Sequence, residues 1–352
     1  MSDPLLEVDN LTVQYETDEG MLTAVSNASF TISEGEFFGL AGESGSGKST
    51  MAKSIIGGLD ENGVISDGSI RYRGQEIHEL TDAELSEEIR WKEISWIPQG
   101  AMSSLDPLQR VSEQALEIGQ VHTDLQDTQI REKLKKTFDI VGLQKSRIDD
   151  YPHQFSGGMQ QRAIIALALF LEPELVIADE PTTALDVIMQ DQIFKYLDQL
   201  KTELNISLLL ITHDISVIFE SCDSVAIMHA SQIAERGTTE AVHENPRHPY
   251  AFMFKEAFPD VREPKRDLTV IEGYPPKLMG EVDYCSFADR CPWAAPECRA
   301  EEPASEPVSD DDPTHEAACV RKEEAYEMYE SGITDGESEH VDSEVASTGE
   351  VD

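Results

Sequence analysis

Gly42-Glu43-Ser44-Gly45-Ser46-Gly47-Lys48-Ser49-Thr50 is the stretch whose folding decides the architecture around it. Gly42 to Ser49 fit G-x-x-x-x-G-K-[ST], in which glycines let backbone N–H groups converge on an anion, the lysine reaches β- and γ-phosphates, and the hydroxyl ligates Mg²⁺. Such a loop must leave a buried strand and open a helix, whose unpaired N–H groups and dipole favour negative charge. The apolar run Phe37-Phe38-Gly39-Leu40-Ala41 predicts the strand, and Met51-Ala52-Lys53-Ser54-Ile55-Ile56 predicts the start of the helix. A plain glycine-rich turn is the alternative, and both flanks argue against it. The expected ligand is a nucleoside triphosphate.

Further out, residues 5 to 35 alternate apolar and polar in short pieces (Leu6, Val8, Leu11, Val13, Tyr15, then Ala28, Phe30, Ile32), which reads as antiparallel strands. Residues 83 to 145 turn polar and helix-forming, interrupted by Ile94-Ser95-Trp96-Ile97-Pro98-Gln99. Two wholly apolar strands follow, Leu175-Val176-Ile177-Ala178 and Leu208-Leu209-Leu210-Ile211. Continuous apolar strands separated by helices predict an α/β fold with a parallel sheet covered on both faces. Ligands in such sheets sit at the carboxyl ends of the strands. The first of the two strands ends in Asp179-Glu180 and the second in Thr212-His213-Asp214. Beside a phosphate loop, Asp179 suits Mg²⁺, directly or through water, Glu180 suits the attacking water, and His213 suits contact with a γ-phosphate.

A second helix start stands at Phe155-Ser156-Gly157-Gly158-Met159-Gln160-Gln161-Arg162. A serine and two glycines ahead of the apolar run Ala163 to Leu171 would present free N–H groups and a hydroxyl to another anion. A structural serine cap with a glycine turn is the competing reading of that segment alone.

Charge bounds the partners. Asp and Glu total 69 against 27 Lys and Arg, a formal net charge of −42, which argues against nucleic acid. The last thirty residues hold 11 of those acids, so the acidity belongs to the body of the chain as well. Adaptation to a salt-rich cytoplasm that screens self-repulsion explains it, and the expected source is a halophilic archaeon. The N-terminus MSDPLLEVDN lacks the basic and apolar regions of a signal peptide. The longest apolar run has nine residues against the roughly 20 of a membrane span.

Taken in order, Gly42 to Ser49, Gln99, Ser156-Gly157-Gly158-Met159-Gln160-Gln161, Asp179-Glu180, Ala184-Leu185-Asp186 and His213 resemble the nucleotide-binding subunit of an ABC transporter over about residues 5 to 258. That resemblance implies a P-loop NTPase cassette with a parallel sheet core, an antiparallel β subdomain and a helical subdomain at about 100–160. It also implies ATP and Mg²⁺, and head-to-tail pairing with a second ATPase subunit. In such a pair the Ser156 segment (Ser156, Gly157, Gly158, Gln160) of one cassette clamps the ATP held by residues Gly42 to Thr50 of the other. By the same resemblance Tyr15 stacks on adenine, Ser49, Gln99 and Asp179 surround the metal, Gln99 links it to the membrane subunits, and Asp186 belongs to a loop across the dimer interface. The family usually has Leu where Phe155 stands, a modest change between apolar side chains.

The back third points to a branch of that family. Asn245-Pro246-Arg247-His248-Pro249-Tyr250, Gly273-Tyr274-Pro275-Pro276 and the run from Cys285 to Pro292 are similar to the C-terminal extension of dipeptide, oligopeptide and nickel importers, here about residues 259–322. Residues 323–352 read as an acidic disordered tail. The branch implies two transmembrane permease subunits, an extracellular solute-binding protein, and a peripheral place on the cytoplasmic face of the membrane. Peptide import leads, with nickel or another small solute open. A soluble ABC protein would normally show a long coiled-coil insertion or two cassettes, and a non-hydrolysing regulatory module would lack Glu180 or His213.

Of the five cysteines, Cys222 stands alone and reads as an ordinary buried side chain. Cys285, Cys291, Cys298 and Cys319 gather among prolines with spacings C-x5-C, C-x6-C and C-x20-C, wider than the C-x2-4-C pairs of structural zinc sites. Four thiolates can hold a [4Fe–4S] cluster, and the resemblance includes importers with one here. Zinc, disulfides and free thiols remain open at this point.

The charge count predicts that thermal stability and ATPase activity rise from dilute buffer to molar salt as repulsion is screened. A melting temperature highest in dilute buffer would contradict the salt-adaptation reading.

Overall fold

The computed structural model describes residues 4–100, 104–181, 205–257 and 271–332, together with 190, 195 and 201. The early alternation folds as two long strands, β1 (Leu6–Thr17) and β2 (Gly20–Ile32), paired antiparallel with Leu6 opposite Ile32 and Val8 opposite Phe30. After them β3 (Phe37–Gly42) is buried along its whole length and leads into α1 (Lys48–Ile55). Then β4 (Gly63–Tyr72) joins the other edge of β1 and β5 (Gln75–Glu76) closes a four-stranded sheet, order β2-β1-β4-β5. Its inward residues, Leu6, Val8, Leu11, Val13 and Ile70, are fully buried, as period-two patterning over a core requires.

The larger sheet takes β3 as its middle. Parallel to it and to one another run β6 (Ile94–Ile97), β7 (Leu175–Asp179) and β8 (Ser207–Thr212), and on the other side of β3 lies β9 (Ser224–His229). β10 (Gln232–Thr238) turns back antiparallel to β9. Alternate residues of the central strands feed two different cores. Leu175, Ile177, Leu209 and Ile211 pack with α1 and the antiparallel sheet, whereas Val176, Ala178, Leu208 and Leu210 pack with the helical layer. With apolar cover on both faces the strands have no polar side, which is why they read as unbroken apolar runs.

The helical layer holds α2 (Val111–His122), α3 (Asp127–Ile140) and α4 (Gly157–Leu169). Ile130, Leu134 and Phe138, spaced by four along α3, are wholly buried and form its inner face. Beyond β8 come α5 (Ile215–Ser221), α6 (Thr239–Glu244) and α7 (Pro249–Glu256). α5 lies so close to β3 that a Cβ on Gly39 would come within 2.4 Å of Ile218. None of the helices among the described residues is long and apolar enough to cross a membrane.

The C-terminal extension is part of the body. β11 (Glu306–Pro307) and β12 (Glu316–Ala317) continue the large sheet past β10, giving the order β11-β12-β10-β9-β3-β8-β7-β6 among the described residues. The boundary expected for a disordered tail at residue 323 needs correction, because Lys322–Gly332 form a helix, α8. Its glutamates 323, 324 and 327 face outward while Tyr326 and Met328 are half buried, and the Arg247 guanidinium stacks 4.1 Å from the Tyr326 ring centroid. Net charge alone does not reveal these half-buried side chains. The expected dimer-interface residue Asp186 lies outside the described residues.

Candidate nucleotide site

The loop from Gly42 to Ser49 has the backbone its sequence demands. Gly42, Gly45 and Gly47 have φ of +152°, +81° and +104°. A Cβ on Gly42 would meet the Met228 carbonyl oxygen at 2.2 Å, and one on Gly47 would meet the Ala24 carbonyl oxygen at 2.1 Å. Glycine is therefore required at both positions by contact as well as by conformation. Gly47 caps α1 without a side-chain hydrogen bond, and the first turn carries no acid, which leaves the positive end of the helix open to an anion. Lys48 lies within the loop, its Nζ donating to the Gly42 and Glu43 carbonyl oxygens at 2.8 Å each. Burial pulls its ammonium down to about 8, against the opposing pull of Glu180, Asp179 and Glu43.

Parallel strands deliver the acids. Asp179, the last residue of β7, is 2% exposed, and its Oδ1 has no hydrogen-bond partner. Burial raises its carboxyl above the usual range, while a hydrogen bond with the Ser49 side chain works the other way. An orphaned buried oxygen beside a serine hydroxyl is a donor set that suits a hard divalent cation. Glu180 follows in the left-handed region at φ +48°, a conformation uncommon outside glycine and asparagine that concentrates at functional sites. Its Oε2 accepts from Gln99 Nε2 at 2.8 Å and its Oε1 lies 3.1 Å from His213 Nδ1. Gln99 follows β6 and His213 follows β8, so three neighbouring strands converge on one carboxylate.

One cavity of about 580 Å³ joins these parts, lined by Tyr15, by Ser44, Gly45, Gly47, Lys48, Ser49 and Thr50, and by Gln99 and Glu180. A second cleft, shared at Ser44, Gln99 and Glu180, continues past Glu43 to His213. Ser46 is fully buried beneath the loop, its Oγ 3.3 Å from Lys48 Nζ. The Ser156 segment is not brought in. Ser156 caps α4, Ser156 and Gly157 are exposed, and none of Ser156, Gly157, Gly158 or Gln160 lines either cavity. The same helix reaches the segment just after β7, where Gln161 Nε2 donates to the Pro181 carbonyl oxygen at 2.5 Å.

Residues from the extension that the sequence reading gave no role stand at this site. Arg290 makes a bidentate ion pair with Glu43, at 2.6 and 2.9 Å, with the arginine side chain only 6% exposed. The Tyr250 hydroxyl accepts from the Glu43 backbone N–H at 3.1 Å. Tyr274, Pro275, Pro276 and Lys277 also line the nucleotide cavity. Their signal in the sequence was the Gly-Tyr-Pro-Pro run itself, a stiff segment carrying an aromatic.

Cys285, Cys291, Cys298 and Cys319 line one small cavity with His248, Phe287 and Trp293, and all are free thiols, as is buried Cys222. Burial raises the Cys285 thiol, pushes Cys291 up to about 12 and pushes Cys319 up to about 11. Backbone N–H groups of Phe287, Trp293 and Arg321 oppose this by bonding to their sulfurs. Among the described residues, no three of these sulfurs lie within 4.8 Å of one another.

A strand–loop–helix anion site, an acid at the end of a parallel strand two places along the sheet and a glutamate held between glutamine and histidine define an ATP-binding cassette of the P-loop class. Residues 25–183 match the ABC transporter family, and residues 234–298 match the oligopeptide/dipeptide transporter C-terminal region. The chain is 42% identical to the oligopeptide transport ATP-binding protein OppD of Haemophilus influenzae, over 84% of this chain and 92% of that one. It is 37% identical to the dipeptide transport ATP-binding protein DppD of Escherichia coli, over 87% and 94%. Among solved structures it resembles the dimeric ATP-binding cassette MJ0796 in a post-hydrolysis state with ADP and Pi, at 29% identity and a TM-score of 0.57, over 66% of this chain and 98% of that one. This chain belongs to the ABC transporter ATP-binding subunits, in the oligopeptide/dipeptide branch, a family of ATPases that use ATP and Mg²⁺.

Gly47→Ala tests the loop. The added methyl must displace the Ala24 carbonyl, so nucleotide binding measured by calorimetry should be lost. Binding as tight as the parent's would show that the loop is not the phosphate site.

Proposed function

We propose that this chain hydrolyses ATP to drive import of di- or oligopeptides, working peripherally at the cytoplasmic face of the membrane. Its partners would be a second ATPase subunit, two transmembrane permease subunits and an extracellular solute-binding protein, with no nucleic acid. The observation that carries the reading is Glu180, fixed between Gln99 and His213 at the mouth of the phosphate-loop cavity. Relatives named for oligopeptide and dipeptide transport, matched over most of their length, support the choice of solute.

In this reading Tyr15 stacks on adenine while Gly42 to Thr50, with the backbone N–H groups at the start of α1 and the Lys48 ammonium, hold the phosphates. Ser49 and Asp179, with Gln99 nearby, would hold Mg²⁺, which supplies neutralisation of the β- and γ-phosphate charge. Glu180 orients a water whose oxygen bonds to the γ-phosphorus as the bond to the β–γ bridging oxygen breaks, and the water's proton passes toward the carboxylate. His213 steadies Glu180 and reaches the γ-phosphate. Ser156, Gly157, Gly158 and Gln160, which do not line their own chain's cavity, would meet the nucleotide of a second copy, with Asp186 at that interface. Closure of the pair would then transmit the hydrolytic cycle to the permeases. The acidic surface suits the salt-rich cytoplasm of a halophile.

For Cys285, Cys291, Cys298 and Cys319 we propose a [4Fe–4S] cluster ahead of zinc. Zinc–thiolate bonds of about 2.3 Å would place the sulfurs about 3.8 Å apart, closer than any three of them lie here, and N–H bonds to sulfur are a feature of iron–sulfur sites. A metal centre would hold together a segment with few apolar residues of its own.

Glu180→Gln should keep ATP binding yet lower turnover at least about a hundredfold, the scale for losing a positioned base. Near-parental turnover would remove Glu180 from its role. Anaerobically purified protein should carry about four irons and four sulfides per chain, lost in Cys291→Ser. Stoichiometric zinc, or a metal-free chain that stays folded under reducing conditions, would contradict the cluster.

A further inference from the structure

The segment Gly273-Tyr274-Pro275-Pro276-Lys277 runs across the open side of the nucleotide cavity and is fastened at both ends. On one side Arg290 Nε donates to the Glu272 carbonyl oxygen at 3.0 Å, and the same guanidinium grips Glu43 of the phosphate loop. On the other side Thr23 N donates to the Leu278 carbonyl oxygen at 2.9 Å, Thr23 Oγ1 to the Gly280 carbonyl oxygen at 2.5 Å, and Gly280 N to the Met21 carbonyl oxygen at 2.8 Å. Leu278 is 2% exposed. Between these anchors Gly273 makes the turn at φ +80°, and two prolines fix φ at two successive positions. The result is a stiff strap tied both to β2 and to the loop that would hold phosphate.

At the centre of this pinned backbone Tyr274 is 91% exposed. Its side chain contributes nothing to a core, so the strap is not built to bury it. Tyr274 lines both the cavity that holds Lys48 and the cleft that holds His213, and among the described residues only Ser44, Gln99, Glu180 and Pro275 share that double position. Ser44, Gln99 and Glu180 belong to the phosphate loop and to the carboxylate it faces, whereas Tyr15 lines the first cavity and not the second. Charge agrees. Arg290 neutralises Glu43 under the strap, so a polyphosphate on that side meets a phenol and a cancelled carboxylate instead of a bare acid.

We infer that the extension supplies a wall of the nucleotide site, with the Tyr274 hydroxyl donating a hydrogen bond to the terminal phosphate of ATP. This rests on assignment of the cavity to ATP. The fixed strap means that little ordering entropy is lost when the contact forms. Tyr274 is a positioning and specificity residue in this scheme, favouring ATP over ADP, and the part of the chain that marks the peptide-importer branch thereby senses the nucleotide's state.

The test compares ATP and ADP binding by calorimetry in the full chain and in Tyr274→Phe, with Lys48→Ala as the control for the site itself. Tyr274→Phe keeps the ring and removes only an exposed hydroxyl, so it folds as the parent does. It should weaken ATP about tenfold, the scale of one hydrogen bond to a charged group, and leave ADP within about twofold. Unchanged ATP binding, or an equal loss for both nucleotides, overturns the inference while Lys48→Ala still loses both. If Lys48→Ala binds ATP as tightly as the parent, the site assignment fails and the inference falls with it.

Discussion

Everything at the candidate site follows from one constraint, that β3, β6, β7 and β8 run parallel and so end at the same edge of one sheet. The polar residues closing each strand have no choice but to meet there. Gly42 begins the phosphate loop, Gln99 follows β6, Asp179 and Glu180 follow β7, and His213 follows β8. The hydrogen bonds that hold Glu180 at 2.8 and 3.1 Å are the direct product of that register. Strands covered on both faces hold the register rigidly, because a one-residue slip would exchange the residues facing the two cores.

The same logic explains what the sequence made legible. The loop glycines, the apolar strands and their polar ends are local features, each readable within about ten residues, and topology brings them together without further instruction. Contacts that pair distant residues leave no local period. Nothing near Glu43 announces Arg290, 247 positions away, and nothing in Gly-Tyr-Pro-Pro says which surface it covers. The left-handed backbone at Glu180 is equally silent, because it is imposed by the strand end and not chosen by the residue. The helix at Lys322–Gly332 was hidden for another reason, a dense acidic composition masking two half-buried side chains.

Together the fold and the ion pairs recast the extension. Instead of hanging from a finished cassette, it lengthens the central sheet through β11 and β12, gathers its cysteines against α7, and returns Arg290 and the Tyr274 strap to the phosphate loop. Arg290, whose buried guanidinium grips Glu43 of the phosphate loop, is one residue from Cys291, which lines the cysteine cavity.

The central claim is that this chain converts ATP hydrolysis into peptide import. The most direct measurement is uptake of a labelled di- or oligopeptide into proteoliposomes holding this chain with its copurified permease subunits and binding protein, with phosphate release followed in the same vesicles. The account predicts that peptide stimulates phosphate release and accumulates only when ATP is present on the cassette side. Phosphate release indifferent to peptide, with nickel or a sugar accumulating instead, would contradict it.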